Sequence, residues 1–179
     1  MSPAALITEE YRRLQTELHR NPDYGVASVE YAPIVGQLMQ AMGTRELLDY
    51  GAGKGRLAHK LEEMYDEPFV IHHYEPAMPA WSAPPEPCEL VACIDVLEHI
   101  EPDLIDNVLD DLKRVTRRVG IFTIDTMPAG KTLADGRNAH LIQQPASWWL
   151  PKLLERFELN HFTRVPRGFW VVVEKKKAE

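Results

Sequence analysis

The chain has 179 residues, 45% hydrophobic and 26% charged, an ordinary balance for a soluble globular protein with enough length for a real core. Its formal net charge of −7 argues against a protein that coats nucleic acid, because phosphate binding needs a basic surface. No apolar run approaches the roughly 18 residues of a membrane span. Residues 1–10 lack the basic and apolar regions of a secretory signal, so the expectation is a cytoplasmic protein without membrane contact.

Thr8 is placed to cap a helix running to about residue 20, with Leu14 and Leu18 among its apolar positions. Asn21-Pro22-Asp23-Tyr24-Gly25 stops it. A second helix is expected over residues 31–42, where Ile34, Val35, Leu38, Met39 and Met42 share one face and Gly43 ends the run. Residues 1–43 precede the first strand and are expected to fold as a helical lid over the ligand edge of a sheet. Residues 46–50 read as a short buried strand, Gly51, Gly53 and Gly55 as a tight turn, and residues 56–64 as the helix after it. A second strand, 69–74, is apolar and aromatic enough for a sheet buried on both faces. Pro79, Pro84, Pro85 and Pro87 forbid a regular helix or central strand over most of 77–87.

The next strand is 89–94, with Cys88 and Cys93 read as buried free thiols. A helix from Pro102 to about 115 and a strand over 120–125 follow. Lys113, Arg114, Arg117 and Arg118 cluster near that helix end, where such residues usually complement the dipole and stay solvated, a local nucleic-acid patch being the other reading. A long loop covers 126–144, and loops of that length inside a compact domain are usually functional. A helix over 145–157 precedes two strands, 159–165 and 169–174, joined at Pro166-Arg167-Gly168. The alternation gives one α/β domain: a three-layer sandwich with a mostly parallel sheet and an antiparallel C-terminal hairpin. Its core is 44–174, and 175–179 is a solvated tail.

Two groups of residues carry chemistry. The glycines after the first strand let backbone approach a ligand closely, and the helix start behind them seats a polar or anionic group. In such a sheet the cofactor lies at the C-terminal strand ends near that turn. The spacing is G-x-G-x-G; a dinucleotide fingerprint would need Gly at position 56, which is Arg. Further along, Asp95, Glu98 and His99 stand at i, i+3 and i+4, so on a helix start they share a face. Hard oxygens with an imidazole suit Mg²⁺ or Mn²⁺, and His140 in the later loop is placed to supply a fourth ligand.

The block Asp49-Tyr50-Gly51-Ala52-Gly53-Lys54-Gly55 resembles motif I of the class I S-adenosylmethionine (SAM)-dependent methyltransferases. Glu75 then matches the family's acidic residue after strand 2, and Asp95 to Ile100 matches its next block, in the right order. The resemblance covers roughly residues 43–174 and implies a Rossmann-like fold. It implies SAM as cofactor, held by Asp49, Tyr50, Gly51, Ala52, Gly53, Gly55, Glu75, Pro76, Asp95 and Val96. Glu75 would take the ribose hydroxyls, since a carboxylate accepts two hydrogen bonds from a cis-diol. The family usually places a helix and another strand after strand 2, and residues 76–87 are too few for both. The sheet is therefore expected to lack one strand and one helix there, with Trp81 either stacking on adenine or plugging the edge.

Asp95-Val96-Leu97-Glu98-His99 with His140 also resembles the E-x-x-E-H motif and later His of small-RNA 3′-terminal ribose 2′-O-methyltransferases. The ubiquinone-pathway O-methyltransferases are a second metal-assisted branch that it resembles. Asp95 stands where the motif's first Glu would be. This implies metal ligation by Asp95, Glu98, His99 and His140, and a catalytic role for His99, Glu98 and His140. In the alternative, Asp95 and Glu98 cap the helix and order the pocket, with His99 as base. The Asn/Asp-Pro-Pro-aromatic motif of amino-methylating enzymes is missing, which favours an oxygen acceptor. The reading is O-methylation of a small hydroxylated molecule or a sugar hydroxyl. Beside it stand N- or C-methylation of a metabolite or macromolecule, and a SAM-binding partner subunit without catalysis. Tyr24, Lys131, Arg137, Asn138, Trp148 and Trp149 are candidates for the acceptor wall, with the core as the other place for the two tryptophans.

Overall fold

A computed structural model describes residues 4–177; the first three residues of the expected lid and the last two of the tail lie outside them. Six strands form one sheet in the order β2-β1-β3-β4-β6-β5. β1 (Glu46–Tyr50), β2 (Val70–Tyr74), β3 (Cys88–Ile94) and β4 (Thr116–Asp125) run parallel. β6 (Gly168–Lys175) pairs antiparallel with β4, and β5 (Phe157–Val165) antiparallel with β6. Among the described residues the α-helices are α1 (Glu9–Leu18), α2 (Ala27–Met42), α3 (Arg56–Met64), α4 (Ile105–Val115) and α5 (Ala146–Leu154).

The layers follow from side-chain alternation. Successive strand residues point to opposite faces, so each central strand feeds two cores. Leu48, Val91, Cys93, Phe122 and Ile124 pack with Leu109 and Leu112 of α4 and Trp149 and Leu153 of α5. Leu47, Leu90, Ala92 and Ile121 pack on the other face with Val35 and Met39 of α2 and Leu57 and Leu61 of α3. The helices match this by period. On α4, Ile105, Val108, Leu109, Leu112 and Val115 are buried, one stripe of a 3.6-residue helix.

Three expectations change. β2 is the sheet's edge, with Val70 58% exposed, His72 exposed and the His72 imidazole 3.0 Å from Glu46. Its apolar composition does not make it central, because residues 76–87 hold only a single 3-10 turn, Pro79–Trp81, and among the described residues no strand pairs outside it. The expected missing strand and its missing helix are thus found, and their absence is what exposes β2. Secondly, Asp95 to His99 is no α-helix start. Asp95 adopts a left-handed φ of 58° and a 3-10 turn covers Leu97–His99. Thirdly, the second helix begins at Ala27, about one turn before the expected start at residue 31.

Candidate functional site

β1 delivers the chain into the glycine turn at the C-terminal end of the sheet. Gly51, Gly53 and Gly55 have φ of 84°, 53° and 71°, which L side chains rarely adopt. A Cβ on Gly51 would overlap the Val96 side chain, so glycine is needed there for space as well as conformation. The Gly51 and Ala52 N–H groups donate to the Tyr74 carbonyl at 2.8 and 3.0 Å, which ties the turn to the end of β2. Glu75, the next residue, is held by two backbone donors: Gly53 N–H on Oε2 at 3.2 Å and Ala77 N–H on Oε1 at 3.1 Å. Burial pushes its carboxyl up while those hydrogen bonds oppose the shift. Asp49 is 3% exposed, and its Oδ2 has no hydrogen-bond partner among the described residues. Burial, with the Glu75 charge nearby, pushes the Asp49 carboxyl up to about 7.

A cavity of about 770 Å³ opens at this turn, within the range of small-molecule and cofactor sites. Asp49, Tyr50, Gly51, Ala52, Gly53, Glu75, Pro76, Asp95 and Val96 line it. Gly55 and Trp81 do not. Trp81 stacks on His73 at 4.4 Å between centroids, with its ring against Gly55. On the other side the lining includes His99, His140, Lys131 and Arg167.

The cavity's further wall is the N-terminal segment, through Tyr11, Gln15, His19 and Tyr24. Thr8 caps α1 through a 3.2 Å bond from Tyr11 N–H, and its own N–H and Oγ1 donate to the Glu101 carboxylate at 2.9 and 2.7 Å. A directional chain then crosses the wall. The Tyr24 hydroxyl donates to Gln15 Oε1 at 3.2 Å, Gln15 Nε2 donates to the Tyr11 hydroxyl at 2.7 Å, and Tyr11 donates to the His99 carbonyl. Lys54 and Arg56 reach back to the carbonyls of Asn21 and Pro22.

Beneath that wall Asp95, Glu98, His99 and His140 converge, one donor atom from each lying within 4.8 Å of the others. Asp95 is set by β3 and by the bend at its left-handed φ, with its N–H on Thr123 Oγ1 at 2.9 Å. Glu98 is fully buried. Its Oε1 accepts from Asp125 N–H at 2.8 Å, while Oε2 has no partner among the described residues. Burial and the Asp95 carboxylate push Glu98 well up, toward the neutral acid. His99 Nδ1 lies 2.9 Å from the Ala139 carbonyl, and His140 Nδ1 lies 2.6 Å from the Met127 carbonyl. A carbonyl only accepts, so both rings carry a proton on Nδ1, which leaves Nε2 as the nitrogen through which either ring could meet a ligand. Burial pushes His99 down to about 4.

Tyr24 and Lys131 line the cavity as candidates for the acceptor wall. Asn138 instead braces its own loop, bonding Ala129 N–H, the Ala129 carbonyl and His140 N–H at 2.9 Å each. Arg137 pairs with Asp135 and sits 5.9 Å over the Tyr11 ring, outside the lining. Trp149 is fully buried in the core and Trp148 packs against it. Tyr11, Gln15 and His19 went unnoticed in the sequence. Their i, i+4, i+8 spacing on one helix was the available signal.

No protein-family model matches the chain, and no curated protein matches its sequence. Solved structures do resemble it. A 1,6-didemethyltoxoflavin-N1-methyltransferase from Burkholderia thailandensis, with 1,6-didemethyltoxoflavin and S-adenosylhomocysteine bound, is 18% identical with a TM-score of 0.64. The match covers 97% of this chain and 93% of that one. Magnesium protoporphyrin IX methyltransferase from Synechocystis PCC 6803, with bound SAM, is 13% identical at a TM-score of 0.64, over 97% of this chain and 100% of the other. The N-methyltransferase NodS from Bradyrhizobium japonicum WM9, with S-adenosylhomocysteine, is 12% identical at 0.62, over 93% and 99%. The chain therefore has the Rossmann-like fold of SAM-dependent methyltransferases, with a sheet of six strands.

Proposed function

We propose that this protein is a SAM-dependent methyltransferase that methylates a hydroxyl group on a small molecule or a sugar. The observation that carries the reading is one cavity joining two chemistries. At one end lie a glycine turn and Glu75, suited to an adenosyl amino acid. At the other lie two carboxylates and two imidazoles whose Nε2 atoms are free.

Methyl transfer from a sulfonium is an in-line displacement. The C–S electron pair returns to sulfur as the acceptor oxygen bonds the methyl group, and the hydroxyl proton leaves. Alignment and removal of that proton are what the protein must supply. Asp49 offers an unpartnered carboxylate oxygen to the cofactor's cationic end. Without an ion, His99, kept neutral by burial and oriented by the Ala139 carbonyl, would present its Nε2 lone pair to the acceptor's proton; with an ion bound, the same lone pair would be a ligand instead.

The donor set also fits a divalent cation. Asp95, Glu98, His99 and His140 would hold it. Glu98 Oε2 is a buried oxygen without a partner, and both imidazoles are fixed by backbone carbonyls in the manner of metal-ligating histidines. Such an ion lowers the pKa of a bound hydroxyl and holds it in place.

The experiment is methyl transfer from labelled SAM to a panel of hydroxylated and nitrogen acceptors, after EDTA treatment and after adding back Mn²⁺ or Mg²⁺. The expected result is O-methyl product that EDTA suppresses, with Glu98→Gln and His140→Ala each lowering the rate at least tenfold. Full activity in EDTA would remove the metal, and transfer to nitrogen acceptors alone would remove the hydroxyl. The bound acceptor of the toxoflavin enzyme, methylated at N1, keeps nitrogen in the panel.

A further inference from the structure

His19 is the last turn of α1 brought to the cofactor end of the cavity. It caps α1 there, and its side chain is only 9% exposed. The ring stands edge-on to Tyr24 at 5.0 Å, and its Cε1 is within 3.4 Å of where a Cβ on Gly53 would lie. Nε2 is 3.8 Å from Glu75 Oε2, too far for a hydrogen bond. Nδ1 is buried and has no partner among the described residues. The imidazole is therefore a sequestered polar group facing a carboxylate across a gap, inside a ligand cavity. The nitrogen that faces the gap is Nε2, and at 3.8 Å it makes no direct hydrogen bond to the carboxylate, so the pair has room for a polar group between them.

The gap has a definite size. A hydroxyl oxygen can sit about 2.8 Å from both Nε2 and Oε2 at once, since they are 3.8 Å apart. It would donate to Glu75 and meet the imidazole with its remaining capacity. Glu75 already spends one lone pair of each oxygen on Gly53 and Ala77, which fixes its orientation toward the gap.

We infer that His19 is a second ribose-binding residue, closing on one hydroxyl of the cis-diol that Glu75 holds. The inference rests on the SAM reading of the cavity and extends it to a residue outside the glycine turn and its sheet. It also couples binding to the N-terminal segment. α1 is fastened beside Glu75 by Arg12 on the Pro76 carbonyl at 3.1 Å and Thr16 on the Ala77 carbonyl at 3.1 Å. A nucleoside bridging His19 and Glu75 therefore tightens α1 against the sheet edge.

The test uses calorimetry with S-adenosylhomocysteine and its 2′-deoxy and 3′-deoxy analogues, on the whole protein and on His19→Phe and His19→Gln. Phe keeps the aromatic packing on Tyr24 and removes both nitrogens; Gln restores a donor and an acceptor. Expected are about tenfold weaker binding to His19→Phe, the loss of one hydrogen bond, and partial recovery with Gln. Against one of the two deoxy analogues the wild type should discriminate more strongly than His19→Phe, in which only the Glu75 contact to that hydroxyl remains. In hydrogen exchange, the ligand should slow the amides of residues 11–24 less in His19→Phe than in wild type. If His19→Phe binds like wild type, or discriminates between the analogues equally, His19 serves packing alone and the inference fails. If the wild type itself binds no S-adenosylhomocysteine, the SAM reading fails with it.

Discussion

Replacing Asp49 by Asn should make the protein more stable in alkaline solution and less able to bind its cofactor. Asp49 is 3% exposed, and no described residue satisfies its Oδ2. Burial, with Glu75 adding repulsion, moves its carboxyl from the ordinary 3.8 to about 7. That displacement corresponds to about 4 kcal/mol of discrimination against the ionised form in the folded state. The sign follows from linkage: a folded-state value above the unfolded one stabilises the protein fully at pH below the unfolded value. The stabilisation is lost as pH rises through the folded value. Asparagine is neutral at every pH and nearly isosteric, so the variant lacks this dependence while sharing all others. The stability of the Asp49→Asn variant relative to wild type should therefore rise by about 2–3 kcal/mol from pH 5 to pH 8.5. Urea unfolding without ligand at four pH values in that window measures it. A difference that stays constant with pH would refute the reasoning. In the proposed function the variant also loses affinity for S-adenosylhomocysteine, since the unmet carboxylate oxygen is what the amino-acid end of the ligand would engage. Stability would rise as function falls.

Two other substitutions probe the glycine turn and its flank. Gly51→Ala places a side chain at φ 84° and into Val96, and should lower stability by about 2–3 kcal/mol and abolish ligand binding. Thermal unfolding and calorimetry on the same sample read both effects. Trp81→Ala removes the stack on His73 outside the cavity and should cost about 1–2 kcal/mol. It should leave affinity for S-adenosylhomocysteine within about twofold; a loss beyond tenfold would put the indole against adenine after all.

Local signals in the sequence carried the first strand, the turn and the following helix, whose bounds, 46–50 and 56–64, coincide with β1 and α3. Such a segment declares itself because an apolar run, closely spaced glycines and an amphipathic period lie within twenty residues. β2 shows the opposite case. Its extent is nearly right, but whether Val70 and His72 are covered depends on a neighbouring strand that none of the described residues supplies, and composition cannot see a neighbour. The proline run gave the better clue, through the length left for a crossover.

For the site, the four residues Asp95, Glu98, His99 and His140 were named together and are found together. The α-helical face invoked to gather the first three is absent; a left-handed Asp95 and a 3-10 turn achieve the same convergence. His19 stayed hidden because its importance comes from where α1 docks, and docking is set by distant partners at Pro76, Ala77 and Glu101. For Trp81 the sequence leaves adenine stacking and an edge plug side by side, and its contacts with His73 and Gly55 come from residues that no local signal pairs with it.

The most direct test of the central claim is a calorimetric titration of S-adenosylhomocysteine into the wild-type protein, with Glu75→Ala alongside. The account predicts saturable binding of one ligand per chain, weakened at least tenfold in Glu75→Ala. No saturable binding to the wild type, or equal binding by the two proteins, would contradict it.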